Sequence, residues 1–153
     1  LLISISVEAQ THNNRKQLTK IFENATPSLQ VGGWSTHYLS GTYRDKDGNK
    51  KKYNQSHSRY GLHLDYGDTW AEAGTFINSY NKRSYYLAKG LKIHRHKYYY
   101  TGVSAGVVSG YLDTEAQSII FIGANGGVNI GKKFSVDGML GWGQANVSVR
   151  FNF

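Results

Sequence analysis

The chain has 153 residues, a net charge of +8 and no cysteine. That leaves room for one domain and excludes disulfides, thiolate metal sites and a cysteine nucleophile. Abundant tyrosine (12), abundant glycine (18) and a single proline suit strands rather than a proline-rich disordered chain.

Residues 1–9 (LLISISVEA) join an apolar run to Val7-Glu8-Ala9, which approximates the small-x-small site of a signal peptide. The expectation is export, with a mature chain from near Gln10 and one domain over 10–153. In residues 13–24, Leu18, Ile21 and Phe22 fall at i, i+3 and i+4, with Arg15, Lys16 and Lys20 on other faces. This spacing predicts a short amphipathic helix. The region of Pro27 would end it. Such a helix would pack on the end of a barrel or lie at a membrane interface.

From Val31 to Phe153 the text reads as strands and turns. Eight strands are expected, over 33–44, 53–66, 69–78, 83–92, 98–110, part of 117–130, 134–140 and 145–153. In the second, Tyr60, Leu62, Leu64 and Tyr66 alternate with Arg59, Gly61, His63 and Asp65. In the last, Val147, Val149, Phe151 and Phe153 alternate with Asn146, Ser148, Arg150 and Asn152. Period-two alternation gives each strand one greasy and one wet face. In the fourth strand Lys89 interrupts the apolar set Tyr85, Leu87 and Leu91.

Alternation alone does not say which face is inside. A soluble calycin-type barrel would turn the apolar face inward. No apolar run reaches the roughly 20 residues of a membrane helix, but a membrane barrel needs none, because only alternate residues meet lipid. A final alternating strand that ends on Phe153 resembles the closing strand of bacterial outer-membrane barrels. With the aromatic density and the expected export, it favours an all-β fold: an eight-stranded antiparallel up-and-down transmembrane barrel over 31–153. Arg59, Glu72, Asp65, Asp137 and Arg150 would then line the interior and must pair there.

The basic balance asks for an anionic partner. There is no basic helix or RNP-like motif, so nucleic acid is not expected; lipid phosphates are. His94 and His96 flank a turn without neighbouring carboxylates, and Gly123–Gly127 lacks phosphate-loop spacing, so neither metal nor soluble cofactor is expected.

The order of a short helix, a Trp34–His37 strand, a charged loop leading to Tyr53-Asn54 and a strand ending in Phe76-x-x-Ser79 resembles the lipid A palmitoyltransferase family. Thr101–Val107 and Val149–Phe153 are similar to that family's fifth and last strands, and Gly74-x-Phe76-x-Asn78-Ser79-Tyr80 is similar to shorter relatives from phages and bacteria. The resemblance spans about 13–153 and rests on order and spacing rather than on any one motif. It implies a monomeric outer-membrane enzyme that moves an acyl chain from phospholipid to lipid A. It assigns His37 as general base and Ser79 as nucleophile or polar stabiliser. The family's Asp position holds Asn78, which can hydrogen-bond but carries no charge. Gly102, Ala105 and Gly106 are candidates for the acyl-chain pocket, and Lys50, Lys51 and Lys52 for contacts to lipopolysaccharide phosphates. Asn78–Asn81 is equally a good turn sequence. A non-catalytic barrel that binds lipid or lipopolysaccharide is therefore the alternative.

Overall fold

A computed structural model of the chain describes residues 23–39, 41–45, 47–111, 118–141 and 143–153. The expected signal remnant and nearly all of the expected helix lie outside these residues. The elements are β1 (Thr26–His37), β2 (Thr42–Arg44), β3 (Lys50–Lys52), β4 (Tyr60–Asp65), β5 (Thr69–Ile77), β6 (Arg83–Arg95), β7 (Tyr99–Ser109), β8 (Ser118–Ile130), β9 (Phe134–Gly141) and β10 (Gln144–Asn152). Eight of them close an antiparallel barrel in the order β1-β10-β9-β8-β7-β6-β5-β4, while β2 and β3 form a separate hairpin. Among the described residues no helix is long and apolar enough to cross a membrane; the barrel's strands are the only crossing elements described.

The expected strands match closely from β5 onward. The first begins at Thr26 rather than Gly33, and Pro27 belongs to it. Proline is tolerated there because β10 pairs with β1 only from Ser28 onward, which leaves Pro27 with an open edge on that side. What was expected as the end of strand one and the charged loop is the β2–β3 hairpin, a protrusion beyond the barrel wall. β8 runs unbroken through Asn125-Gly126-Gly127.

Connections alternate in kind. The β4–β5, β6–β7 and β8–β9 turns, with both ends of the barrel chain, lie at one rim (the turn rim). The other connections, from the two residues between β9 and β10 to the long β1–β4 segment, lie at the other (the loop rim). β1 carries a bulge between Val31 and Trp34, where Gly32 adopts φ 65°. Glycine bears that conformation without strain. Between β1 and β5 the loop-rim wall is completed by residues outside any strand. Ser35 N donates to Gln55 O (2.8 Å), His57 N to Gly33 O (2.8 Å), and Asn54 N to Ser79 O (2.8 Å).

The outer face is apolar. Val147, Val149 and Phe151 are 43%, 37% and 37% exposed, and Leu62, Leu87, Val103, Ile122 and Leu140 are exposed with them. The interior holds Ser28, Gln30, His63, Glu72, Ser104, Asn125, Asp137, Ser148 and Arg150. A soluble barrel has the reverse arrangement, so lipid is the solvent this outer surface suits. Inward glycines let large rings lie across the lumen: a Cβ on Gly90 would stand 2.2 Å from the Trp70 indole, and one on Gly127 2.5 Å from the Tyr100 ring.

Candidate functional site

The lumen has two halves of opposite character. Toward the turn rim it is filled by a chain of paired charges. Arg59 Nη2 donates to Glu72 Oε1 (2.7 Å) and Arg59 Nε to Tyr86 Oη (3.1 Å). Tyr86 Oη also donates to Glu72. Glu72 Oε2 lies 3.0 Å from His63 Nδ1, and Arg150 Nη1 lies 2.6 Å from His63 Nε2. Arginine can only donate, so Nε2 accepts and Nδ1 carries the proton given to Glu72. Arg150 Nε then meets Asp137 Oδ2 at 3.1 Å, Tyr100 Oη donates to Asp137 Oδ1 (3.0 Å), and Lys92 pairs with Asp65. Three cations face three carboxylates in this chain. The five expected interior charges are therefore all inside and all paired. Among the pairs a cavity of about 50 Å³ remains, and below them the turn-rim mouth is an open polar vestibule of about 1000 Å³ lined by Ser28, Asp65, Lys92, Tyr100 and Arg150.

Toward the loop rim the lumen is apolar and hollow. A cavity of about 390 Å³ lies among Trp70, Phe76, Val108, Ile119, Phe121 and Met139, with Arg59 and Tyr86 at its floor. The ion-pair chain thus forms the base of an oily chamber.

That chamber opens through the wall. β7 pairs with β8 from Ser109↔Ser118 downward, but β9 meets β8 only from Gly141↔Gly123 downward. Residues 118–122 therefore have no strand partner on the β9 side among the described residues. Both faces of this free edge line the cavity: half-buried Ile119 and Phe121, and outward Ile120 and Ile122, which are 77% and 71% exposed. Among the described residues the chamber is continuous with the lipid-facing belt through a notch between β8 and the β9–β10 hairpin.

The expected catalytic residues lie at the loop rim. His37, the last residue of β1, stacks on Tyr53 (ring centroids 4.1 Å apart). Tyr53 packs on Tyr43 and Tyr80, and Tyr80 on Tyr111, which also meets Phe76 in the chamber. This aromatic cluster caps the cavity. Burial pushes the Tyr80 phenol up to about 12, helped by its bond to Tyr53, and pushes Tyr111 up to about 12 against the opposing effect of the Ser79 hydroxyl.

Ser79 is fully buried in the β5–β6 loop. Among the described residues no hydrogen bond joins His37 to Ser79. The Tyr53-Asn54 dipeptide links them instead: Tyr53 stacks on His37, and Asn54 N donates to Ser79 O (2.8 Å). Asn78 builds the turn. Its Oδ1 accepts from Tyr80 N (2.9 Å) and Lys82 N (3.0 Å), and its Nδ2 donates to Ser84 Oγ (3.0 Å) and Gly110 O (2.8 Å). Both amide hydrogens are spent, so Asn78 has no donor left for an oxyanion.

Of the expected pocket residues, Gly102 and Gly106 face the lumen, and a Cβ on Gly106 would stand 2.6 Å from Phe121 in the chamber wall. Ala105 does not belong with them. It is exposed on the outer face beside Val103 and Val107, because neighbours in a strand point to opposite sides. Lys50, Lys51 and Lys52 form β3 and are exposed. Lys51 Nζ pairs with Asp45 at 2.9 Å. That hydrogen bond and one from the Asn49 backbone hold Asp45 down to about 2, and Asp45 in turn raises Lys51. Among the described residues no cluster of His, Asp and Glu could hold a metal ion.

Sequence reasoning missed Tyr43, Tyr80 and Tyr111 as a cap, because residues from three separate loops make it. It named Tyr53 without its stacking role. The notch carried no local signal at all.

No protein-family model matches the chain, and no curated protein does. Among solved structures the chain is similar to one from the de novo design of transmembrane β-barrels, with a TM-score of 0.59 at 11% identity, covering 85% of this chain and 96% of that one. The likeness is one of fold alone, and it agrees with the outward apolar belt. The fold is that of a transmembrane β-barrel.

Proposed function

We propose that this barrel is an outer-membrane protein that takes an acyl chain of a membrane lipid sideways into its upper chamber and transfers it to lipid A. The observation that carries the reading is the apolar chamber of about 390 Å³ opening through the β8–β9 notch into the lipid-facing belt. A chain drawn through the notch exchanges bilayer hydrocarbon for an apolar lining and never crosses water. The charged base stops it at a fixed depth, since a methyl terminus gains nothing by displacing paired ions.

In this reading the ester end of the chain lies beneath the aromatic cap. His37 takes the proton of the attacking hydroxyl, and Ser79 is the nucleophile or stabilises the developing charge. The exposed lysines of β3 face outward toward lipopolysaccharide phosphates. The test is incubation of the folded protein in detergent with acyl-labelled phospholipid and lipid A. Labelled lipid A should form with the unmodified protein and be lost in His37→Ala and Ser79→Ala. Transfer that survives both substitutions would remove the site assignment.

A second reading, a lipid-binding barrel without catalysis, is favoured by one specific observation: Asn78, at the position where the resembled family has Asp, is wholly used in the turn. It expects binding of labelled phospholipid and no labelled lipid A.

A further inference from the structure

Four residues around the small cavity among the ion pairs have polar atoms to spare. Gln30 Oε1, Trp70 Nε1, Ser104 Oγ and both Oδ1 and Nδ2 of Asn125 have no hydrogen-bond partner among the described residues. All four residues are at least nine-tenths buried, and all four line the cavity of about 50 Å³. Register explains why they meet around a space. Trp70, Gly90, Ser104 and Gly123 form one row across β5, β6, β7 and β8, and Gly102 and Asn125 are partners in the next inward row. The glycines carry no side chain to fill the gap between the polar ones.

The donor set defines the ligand. Trp70 Nε1 only donates, Gln30 Oε1 and Asn125 Oδ1 only accept, Asn125 Nδ2 donates, and Ser104 Oγ does either. A ligand for these atoms must both give and take hydrogen bonds. It must also be neutral, because Arg59, His63, Glu72 and Asp137, which line the same cavity, are matched within the ion-pair chain, and a further charge would stand uncompensated. A polar space of this size holds about three water molecules. We propose that the cavity is a water site, in which a cluster of about three ordered waters ties Gln30 of β1 and Trp70 of β5 to Ser104 of β7 and Asn125 of β8. The waters enter from the turn rim. Tyr100 lines both the vestibule and the cavity, so its ring is the partition between them. On the other side Arg59, Trp70, Met139 and Asn146 separate the cavity from the chamber, whose largely apolar lining offers water few partners. The charged base is therefore hydrated from one side only, by held water rather than bulk solvent. This assignment does not depend on the acyl-chain reading.

The test is nuclear magnetic resonance of the ¹⁵N-labelled full chain folded in detergent micelles, with the Trp70 indole signal identified by its loss in Trp70→Phe. The Trp70 indole N–H and the Asn125 side-chain amide should both show direct cross-relaxation with water. Its absence at both overturns the proposal. Ser104→Ala should keep the Trp70 contact; loss there would mean that the serine hydroxyl relayed the signal, and no water site is needed. Asn125→Leu fills the cavity and should abolish the Trp70 contact, and a contact that persists in the folded variant overturns the proposal. The unmodified protein and Ser104→Ala decide the site even where Asn125→Leu fails to fold. Hydrogen–deuterium exchange at the Trp70 indole tests the entry. Tyr100→Phe, which frees the ring from Asp137, should quicken it about tenfold, the weight of one hydrogen bond, relative to the backbone amide of Val103. Val108→Trp, which fills the chamber, should leave it unchanged. Exchange that Val108→Trp slows, or that Tyr100→Phe does not move, overturns entry from the turn rim.

Discussion

The two halves of the lumen belong to one barrel, yet one is crossed by paired charges and the other is hollow and oily. Toward the turn rim, inward positions carry Arg150, Asp137, His63, Glu72 and Lys92, each with a partner on an adjacent or next-but-one strand. Toward the loop rim, the inward positions carry Phe76 and Ala88 on two of those strands, β5 and β6, and Val108 and Phe121 on β7 and β8. Paired ions hold the wall rigidly from within, which an unfilled chamber cannot do. The difference teaches that ion pairing and enclosed apolar space are divided between the two ends, with Arg59 and Tyr86 at the boundary.

Removing a member of the lower chain should break this division most severely. Glu72→Ala leaves Arg59 and the His63–Arg150 pair without their carboxylate, and a buried charge stripped of its partner costs about 3–5 kcal/mol. Urea unfolding of the barrel from lipid vesicles measures it. A cost below about 1 kcal/mol would mean that water already screens the chain.

The outer face allows a sharper contrast. Val149→Arg puts a cation on the lipid side of β10, beside Arg150, which is stabilised on the inner side. It should destabilise the barrel by about 2–4 kcal/mol in bilayers. Equal stability in vesicles would contradict a lipid-facing belt.

Filling the chamber should spare the fold and abolish its use. Val108→Trp displaces about three methylenes of a bound chain at ~0.8 kcal/mol each, which lowers acyl-chain affinity about fiftyfold. Titration with a spin-labelled fatty acid reads this directly. Unchanged affinity would place the chain elsewhere.

Two titrations test the loop rim with smaller effects. Tyr80 and Tyr111 should ionise near 12 rather than the ordinary 10, as read by ultraviolet absorbance. The fold favours their neutral phenols, so the cap loses stability as pH rises above 10, where the unfolded chain begins to release protons that the fold retains. In the β2–β3 hairpin the sign is opposite. Asp45 is held down from 3.8 to about 2, so its contribution is complete above 3.8 and disappears as pH falls through about 2. Amide exchange at Asn49 should quicken only in that acid window, and modestly, since the pair is exposed.

Strand number, strand order and most strand limits were legible in the text, because period-two alternation and turn residues are local signals. The interior charges were legible too: they share strand faces with Gly61, Ser135 and Ser148, opposite Leu62, Val136 and Val149. The outward position of Ala105 could have been read from the same parity, since it alternates with Gly102 and Gly106. Lys89 looked like a break in the pattern of β6, whereas the pattern there is unbroken and the lysine faces out.

The order of residues by itself determined that this chain makes alternating strands with one oily and one charged face, since a strand's two faces depend only on neighbouring positions. Tertiary structure decided the rest. The free edge at 118–122 exists because β9 ends short of β8, a relation between strands that no single strand encodes. The meeting of His37 with Tyr53 and the tyrosine cap over the chamber follow from barrel closure and register, which bring distant residues together only when all eight strands pair.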